Sequence, residues 1–239
     1  AETGYYNAAY NLIFSAALVS NVFNTALYPS LARRAVSEPD SLPRIYERAL
    51  RYMMLIALPI AVGGWALAGQ LIPFLFTADY LPAVPALRII IWSLPLMFAS
   101  EFLGYIVLIS GREGRAARAV LVSTGLNVVM NLLLVPRFGF IGAAVMTVFT
   151  EAVLVGQYVW ALRSLMQKIN WSSSLLRPLL AVALMGGLVL FLQTLLPLLA
   201  NVAVGALAYA ALLLVLGVVG KDDLRFVRNI RPTSKAAAG

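Results

Sequence analysis

Residues 116–162 read AARAVLVSTGLNVVMNLLLVPRFGFIGAAVMTVFTEAVLVGQYVWAL. Two apolar runs, 116–135 and 140–162, stand back to back with only Pro136, Arg137, Phe138 and Gly139 between them. A helix needs about 20 mostly apolar residues to cross the hydrocarbon core of a bilayer, and each run has that length. The stretch therefore predicts two transmembrane helices with a short connection. Working outward, further apolar runs fall at 5–32, 52–76, 85–109, 175–196 and 202–220, which brings the expected count to about seven. Composition agrees, because 62% of the 239 residues are apolar against roughly 45–50% in a soluble domain. The expected fold class is all-α, a polytopic transmembrane helix bundle.

The cations alternate with these spans. Arg33, Arg34, Arg44, Arg48 and Arg51 follow the first, Arg112, Arg115 and Arg118 the third, and Arg163, Lys168 and Arg177 the fifth. Lys221, Arg225, Arg228, Arg231 and Lys235 close the chain. Only Arg137 and Arg88 of the eighteen fall elsewhere, so the positive-inside rule puts sixteen cations, and the C-terminus, in the cytoplasm. The net charge of +8 is then that of loops facing anionic lipid, and no nucleic-acid partner is expected. An odd number of spans places the N-terminus outside, yet residues 1–4 hold no signal sequence. We therefore expect earlier spans upstream, with a processed N-terminus as the alternative.

With no Cys and no His, the thiolate nucleophile, the commonest general base and the usual transition-metal ligands are missing. Neither a catalytic group, a metal nor a cofactor is expected, and the chain does not read as an enzyme. What remains is polar chemistry inside the membrane, where a charge costs about 2.5–3.5 kcal/mol and needs a reason. Glu151 lies eleven residues into the 140–162 run, about 16 Å deep. It reads either as a cavity-facing carboxylate that binds a proton or cation, or as a structural acid bonded to a neighbouring helix. Glu101 is the second ion-coupling candidate, with an interfacial position as the alternative. Arg88 reads either as snorkelling to the headgroups or as directed at an anionic substrate.

Uncharged polar residues form stripes. Asn7, Tyr10, Asn11, Asn21, Thr25 and Tyr28 share one face of the first span, and Ser123, Asn127 and Asn131 recur every four residues in the fourth. Such rows either line a wet cavity or hydrogen-bond helix to helix. Asn7, Asn11, Asn21, Thr25, Asn127 and Asn131 are accordingly substrate or cavity candidates together with Arg88. Pro59, Gly63, Gly64 and Pro95 are expected to kink the second and third spans, and Gly139, Gly142, Ala143 and Ala144 form a small-residue face. Arg44, Arg48 and Arg51, behind Ser41 and Pro43, suggest an interfacial helix. The last two spans are almost wholly apolar. We expect a transport bundle of about five spans over 1–165, two peripheral apolar spans over 166–220 and a basic cytoplasmic tail over 221–239.

The block NVVMNLLLVPRFGFIGAAVMTVFTE, residues 127–151, resembles the most recognisable segment of the oligosaccharide flippases of the multidrug/oligosaccharidyl-lipid/polysaccharide (MOP) exporter superfamily. GYYNAAY at 4–10, Tyr28-Pro29, ADYLPAVPALRII at 78–90, SGREGRA at 110–116 and KDDLR at 221–225 extend the likeness along the chain. The resemblance implies the C-terminal half of a MATE-like transporter of two six-helix bundles, often with two added helices. It implies flipping of a polyprenyl-pyrophosphate-linked (undecaprenyl) oligosaccharide by alternating access, for surface polysaccharide biosynthesis. Arg88 would then answer the pyrophosphate and Glu151 would couple protons or sodium. The implied partners are membrane lipid, the lipid-linked oligosaccharide, the missing N-terminal half and the polysaccharide polymerase machinery. The implied location is the bacterial cytoplasmic (inner) membrane. A cation-coupled drug antiporter, a membrane glycosyltransferase and a non-transporting scaffold are the competing readings.

Overall fold

The computed structural model describes residues 2–38, 42–167 and 171–218. Ser41, Lys168 and the basic tail over 221–239 lie outside them. The described residues form α-helices and one 3-10 turn, with no strand among them: α1 (Glu2–Ser37), α2 (Leu42–Leu75), the 3-10 turn Ala78–Ala83, α3 (Val84–Ile90), α4 (Ser93–Ile109), α5 (Glu113–Ala161), α6 (Arg163–Met166), α7 (Trp171–Leu192) and α8 (Leu198–Val215).

α5 consists of two helical limbs that meet at a kink and run in different directions. Gly139, within α5, has φ 56° and ψ −144°, a conformation open only to glycine. The side-chain bonds across it pair Asn127 with Thr150 and Ser123 with Gln157, each pair nearly symmetric about residue 139. The two limbs, 113–138 and 140–161, are therefore antiparallel and form a hairpin. At 1.5 Å per residue they are roughly 39 and 33 Å long, enough for a crossing each. At the turn a Cβ on Gly142 would lie 3.2 Å from the Leu134 carbonyl oxygen, so the small residue there permits the close return of the second limb.

By length and composition α2, α5 and α8 are each able to cross a membrane. The pair Ala78–Ile90 and Ser93–Ile109, bent by 45°, adds a fourth if it acts as one span. The hairpin makes α5 two crossings. α1 is long enough, but its amides and tyrosines lower its hydropathy, and the apolar part of α7 is Leu176–Leu192. The break in the third expected span falls at Ile91–Trp92, not at Pro95 itself. Pro95 has no N–H to return to Ile91, and its ring disfavours helical geometry in the turn before it. Leu94 N–H bonds Ile91 O instead, at 3.1 Å.

The expected interfacial helix is corrected. Residues 42–51 are the first turns of α2, held inward by Tyr46, 2% exposed, whose ring meets Phe102 of α4 edge-on at 6.2 Å. α4 ends on Gly111 at φ 65°, with Gly111 N–H to Leu108 O and Arg112 N–H to Val107 O, the paired bonds of a Schellman cap. The Arg112 guanidinium then bonds the Ala161 carbonyl at the far end of α5, where a cation also complements the helix dipole.

The helices share two apolar cores. One gathers Ile13, Met53, Leu87, Phe98, Phe102 and Ile106 from α1 to α4, with Ala144, Tyr158 and Leu162 at the hairpin. The other is built by α2, α7 and α8 around Leu67, Val182, Met185 and Val189. α7 and α8 are tied on by polar bonds in otherwise apolar surroundings: Tyr209 OH donates to Leu55 O at 3.0 Å and Asn201 Nδ2 to Val189 O at 3.1 Å.

Candidate functional site

Polar side chains converge where α1, α4 and the hairpin meet. On the hairpin, Thr150 Oγ1 gives its proton to Met146 O and accepts Asn127 Nδ2 at 3.0 Å. Asn127 Oδ1 in turn accepts Asn131 Nδ2 at 3.0 Å, and Gln157 Nε2 donates to Ser123 Oγ at 3.0 Å. α1 joins through Tyr6. Because Thr147 already donates to Ala143 O, the phenol is the donor in the 3.0 Å bond between Tyr6 OH and Thr147 Oγ1. α4 joins through Ser100, whose Oγ donates to Glu151 Oε2 at 3.0 Å and to Met97 O at 3.2 Å.

Two hollows of about 440 Å³ each flank this network. The first lies between α1 and the hairpin and is bordered by Asn7, Tyr10, Ser123, Asn127, Thr150 and Glu151. The second lies between α4 and the hairpin, bordered by Ser100, Glu101, Tyr105, Glu151 and Tyr158. Glu151 lines both and is the only charged residue of the first. Neither Glu151 nor Glu101 pairs with a cation among the described residues. A third hollow, of about 500 Å³, lies between α2, α7 and α8. It is apolar apart from Tyr209, whose hydroxyl is already bonded.

The structure thus brings together Asn7, Asn127, Glu151 and Glu101 of the residues singled out in the sequence. Asn131 joins through its bond to Asn127. Asn11, Asn21 and Thr25 lie on the exposed side of α1 and border neither polar hollow, and the Thr25 hydroxyl is returned to Asn21 O at 2.8 Å. Arg88 is exposed on α3 and borders neither. The residue of α1 that does reach a carboxylate is Asn24, 2% exposed, with Nδ2 3.2 Å from Ser20 Oγ and 3.3 Å from Glu101 Oε2. A sequence signal for it existed. Ala9, Ile13 and Ala17 mark the packed face at four-residue spacing, and Ser20 and Asn24 continue that face. Among the described residues no group of three or more acids gathers as a metal cluster would require.

Residues 1–85 match the profile of a family described as "Polysaccharide biosynthesis protein". Over 123 residues the chain is 31% identical to an uncharacterised membrane protein of Methanocaldococcus jannaschii, covering 51% of this chain and 24% of that one. It is 26% identical over 153 residues to a probable low-salt glycan biosynthesis flippase of Haloferax volcanii, covering 64% and 31% respectively. The matches thus cover about a quarter to a third of the length of these relatives. Among solved structures it superposes on the lipid II flippase MurJ in its inward closed conformation with a TM-score of 0.74 at 15% identity, over 96% of this chain and 48% of the other. At that identity the likeness is one of fold.

Proposed function

We propose that this chain belongs to a polysaccharide biosynthesis flippase family and supplies one bundle of a carrier that flips a lipid-linked oligosaccharide between leaflets. The observation that carries the reading is the pair of polar hollows meeting at Glu151 inside a bundle of apolar helices. A sugar headgroup cannot enter hydrocarbon without losing its hydrogen bonds, at several kcal/mol per unsatisfied group. Amides and hydroxyls around a hollow, exemplified by Asn7, Asn127 and Ser123, replace water for it. The lipid tail stays in the membrane, and the apolar hollow between α2, α7 and α8 suits a hydrocarbon chain. No bond is made or broken in such a cycle, so the reading is of a transporter and not an enzyme.

The finer reading is a polyprenyl-pyrophosphate carrier of the MOP superfamily in a bacterial cytoplasmic membrane. It would work by alternating access with a second, N-terminal bundle and hand its cargo to a polysaccharide polymerase. Glu151 is read as the ion-coupling carboxylate. The test is reconstitution of the full-length protein in vesicles carrying a fluorescent polyprenyl-pyrophosphate oligosaccharide. Protein-dependent loss of the inner-leaflet label, at least tenfold faster than in empty vesicles, is the expected result, and a rate equal to that of empty vesicles would overturn the reading.

Sidedness has its own measurement, since the sequence contains no Cys. Single cysteines at Asp79 and Pro197 should react with an impermeant maleimide from outside intact cells, whereas cysteines at Glu113 and Arg163 should react only after permeabilisation. The opposite pattern would invert the orientation.

A further inference from the structure

Tyr6, Tyr10 and Phe14 recur at four-residue spacing on α1. Their rings lie nearly parallel, Tyr6 to Tyr10 at 21° with centroids 5.8 Å apart and Tyr10 to Phe14 at 18° and 6.3 Å. Four residues of helix rise about 6 Å, so the rings repeat with the backbone and form one strip along it. At such spacing they are offset and cover little of one another's faces. The strip starts beside the first hollow, which Tyr6 and Tyr10 border, and runs on to Phe14, 55% exposed. The bond between Tyr6 OH and Thr147 Oγ1 fixes its first ring to the hairpin. Asn7 and Asn11 flank the rings. Both are exposed, and among the described residues neither side chain hydrogen-bonds a partner. An amide turned toward hydrocarbon would forfeit its hydrogen bonds, so this face of α1 fits water or a polar ligand better than lipid tails. It carries no charge either: no Asp, Glu, Lys or Arg occurs between residues 3 and 32, and the first hollow is bordered by Glu151 but by no cation.

We propose that the ring strip of Tyr6, Tyr10 and Phe14, with Asn7 and Asn11 beside it, is a stacking platform for uncharged sugar units of the cargo. The inference rests on the flippase reading and names the class of sugar that its polar site takes. A pyranose has an apolar face of C–H groups and a rim of hydroxyls. The C–H face, slightly positive, lies flat on the electron-rich face of an aromatic ring. The rim hydroxyls meet the amides, which both donate and accept. A purely apolar ligand would cover the rings but leave the amides unsatisfied. The lack of a cation sets the charge. A uronic acid would surrender its hydration with no Lys or Arg to answer it, beside the Glu151 carboxyl group. The strip therefore selects against acidic sugars, and the pyrophosphate finds no partner on it.

The experiment is equilibrium binding of three tritium-labelled, short-chain polyprenyl pyrophosphates to the purified full-length protein in detergent. One probe carries two neutral hexoses, one a hexose and a hexuronic acid, and one no sugar. The neutral form should bind about tenfold or more tighter than the uronate form. Phe14→Leu, at an exposed position where folding is not at stake, should weaken the neutral form about fivefold or more. The same variant should leave the sugar-free lipid within about twofold of wild type. Tyr10→Leu should act likewise, and Phe14→Tyr, which returns a ring, should restore most of the affinity. Phe191→Leu removes an aromatic 70% exposed on α7 and is the control, with binding of all three probes unchanged. Equal affinity for the neutral and uronate forms would overturn the proposal. So would unaltered binding of the neutral form in Phe14→Leu, or an equal loss of the sugar-free lipid in that variant. Failure of the wild type to bind any of the three would instead remove the flippase reading on which the proposal rests.

Discussion

Gly139→Val is expected to lower the melting temperature of the purified protein by roughly 5–10 °C and to cut the amount recovered as a monodisperse species from membranes. The residue's φ of 56° with ψ −144° lies where any Cβ collides with the backbone, and such strain costs about 1–3 kcal/mol, at the upper end for a β-branched side chain. In a protein of this size each kcal/mol moves Tm by about 2–4 °C. A long loop would relax around the new side chain. Here the turn is a single residue, and the register of the Asn127–Thr150 and Ser123–Gln157 bonds depends on it. Arg137→Ala and Phe138→Ala alter neighbouring side chains, both exposed, without touching the turn conformation and serve as controls expected within about 2 °C of wild type. Thermal melts by intrinsic fluorescence check all three. Wild-type stability in Gly139→Val would mean that the two limbs are not joined as described.

Two apolar runs of span length around PRFG were enough to place two crossings, because hydrocarbon thickness fixes how long a run must be. They could not show that the connection shrinks to one glycine, since that depends on a dihedral pair no periodicity reports. Pro95 announced a break in the third span, but the break falls at Ile91–Trp92, where the missing N–H and the ring act. The first turns of α2 misled for another reason: arginines at helical spacing look the same on an interfacial helix and on a span's entry, and only Tyr46 packing on Phe102 decides.

The site was legible to the same uneven degree. Glu151 stood out because depth alone makes a carboxylate costly, and Asn127 because it repeats with Ser123 and Asn131 on one helical face. On α1 the wheel chose Asn11, Asn21 and Thr25, which are exposed, over Asn24, about 60° round the helix from Asn21. A polar stripe records which residues share a face; it does not say which neighbour that face meets.

Glu151→Gln is expected to reduce glycan flipping in reconstituted vesicles at least tenfold while leaving Tm within about 2 °C of wild type. The two halves of that expectation come from the same geometry. Gln has the shape of Glu and an Oε1 that still accepts the Ser100 proton, so the 3.0 Å bond joining α4 to the hairpin persists. What disappears is the only charge that borders both polar hollows, and with it the capacity to hold a proton or cation between them. Ser100→Ala makes the complementary change. It keeps the carboxylate but removes a hydroxyl that serves Glu151 and Met97 O with one proton, so it should cost stability, about 1.5–3 kcal/mol for a bond to a charged group, with a smaller loss of rate. Two outcomes would count against the assignment: a full flipping rate in Glu151→Gln, or a Tm loss in that variant as large as the one in Ser100→Ala. The first would remove Glu151 from the transport cycle, and the second would reduce it to an interhelical tie.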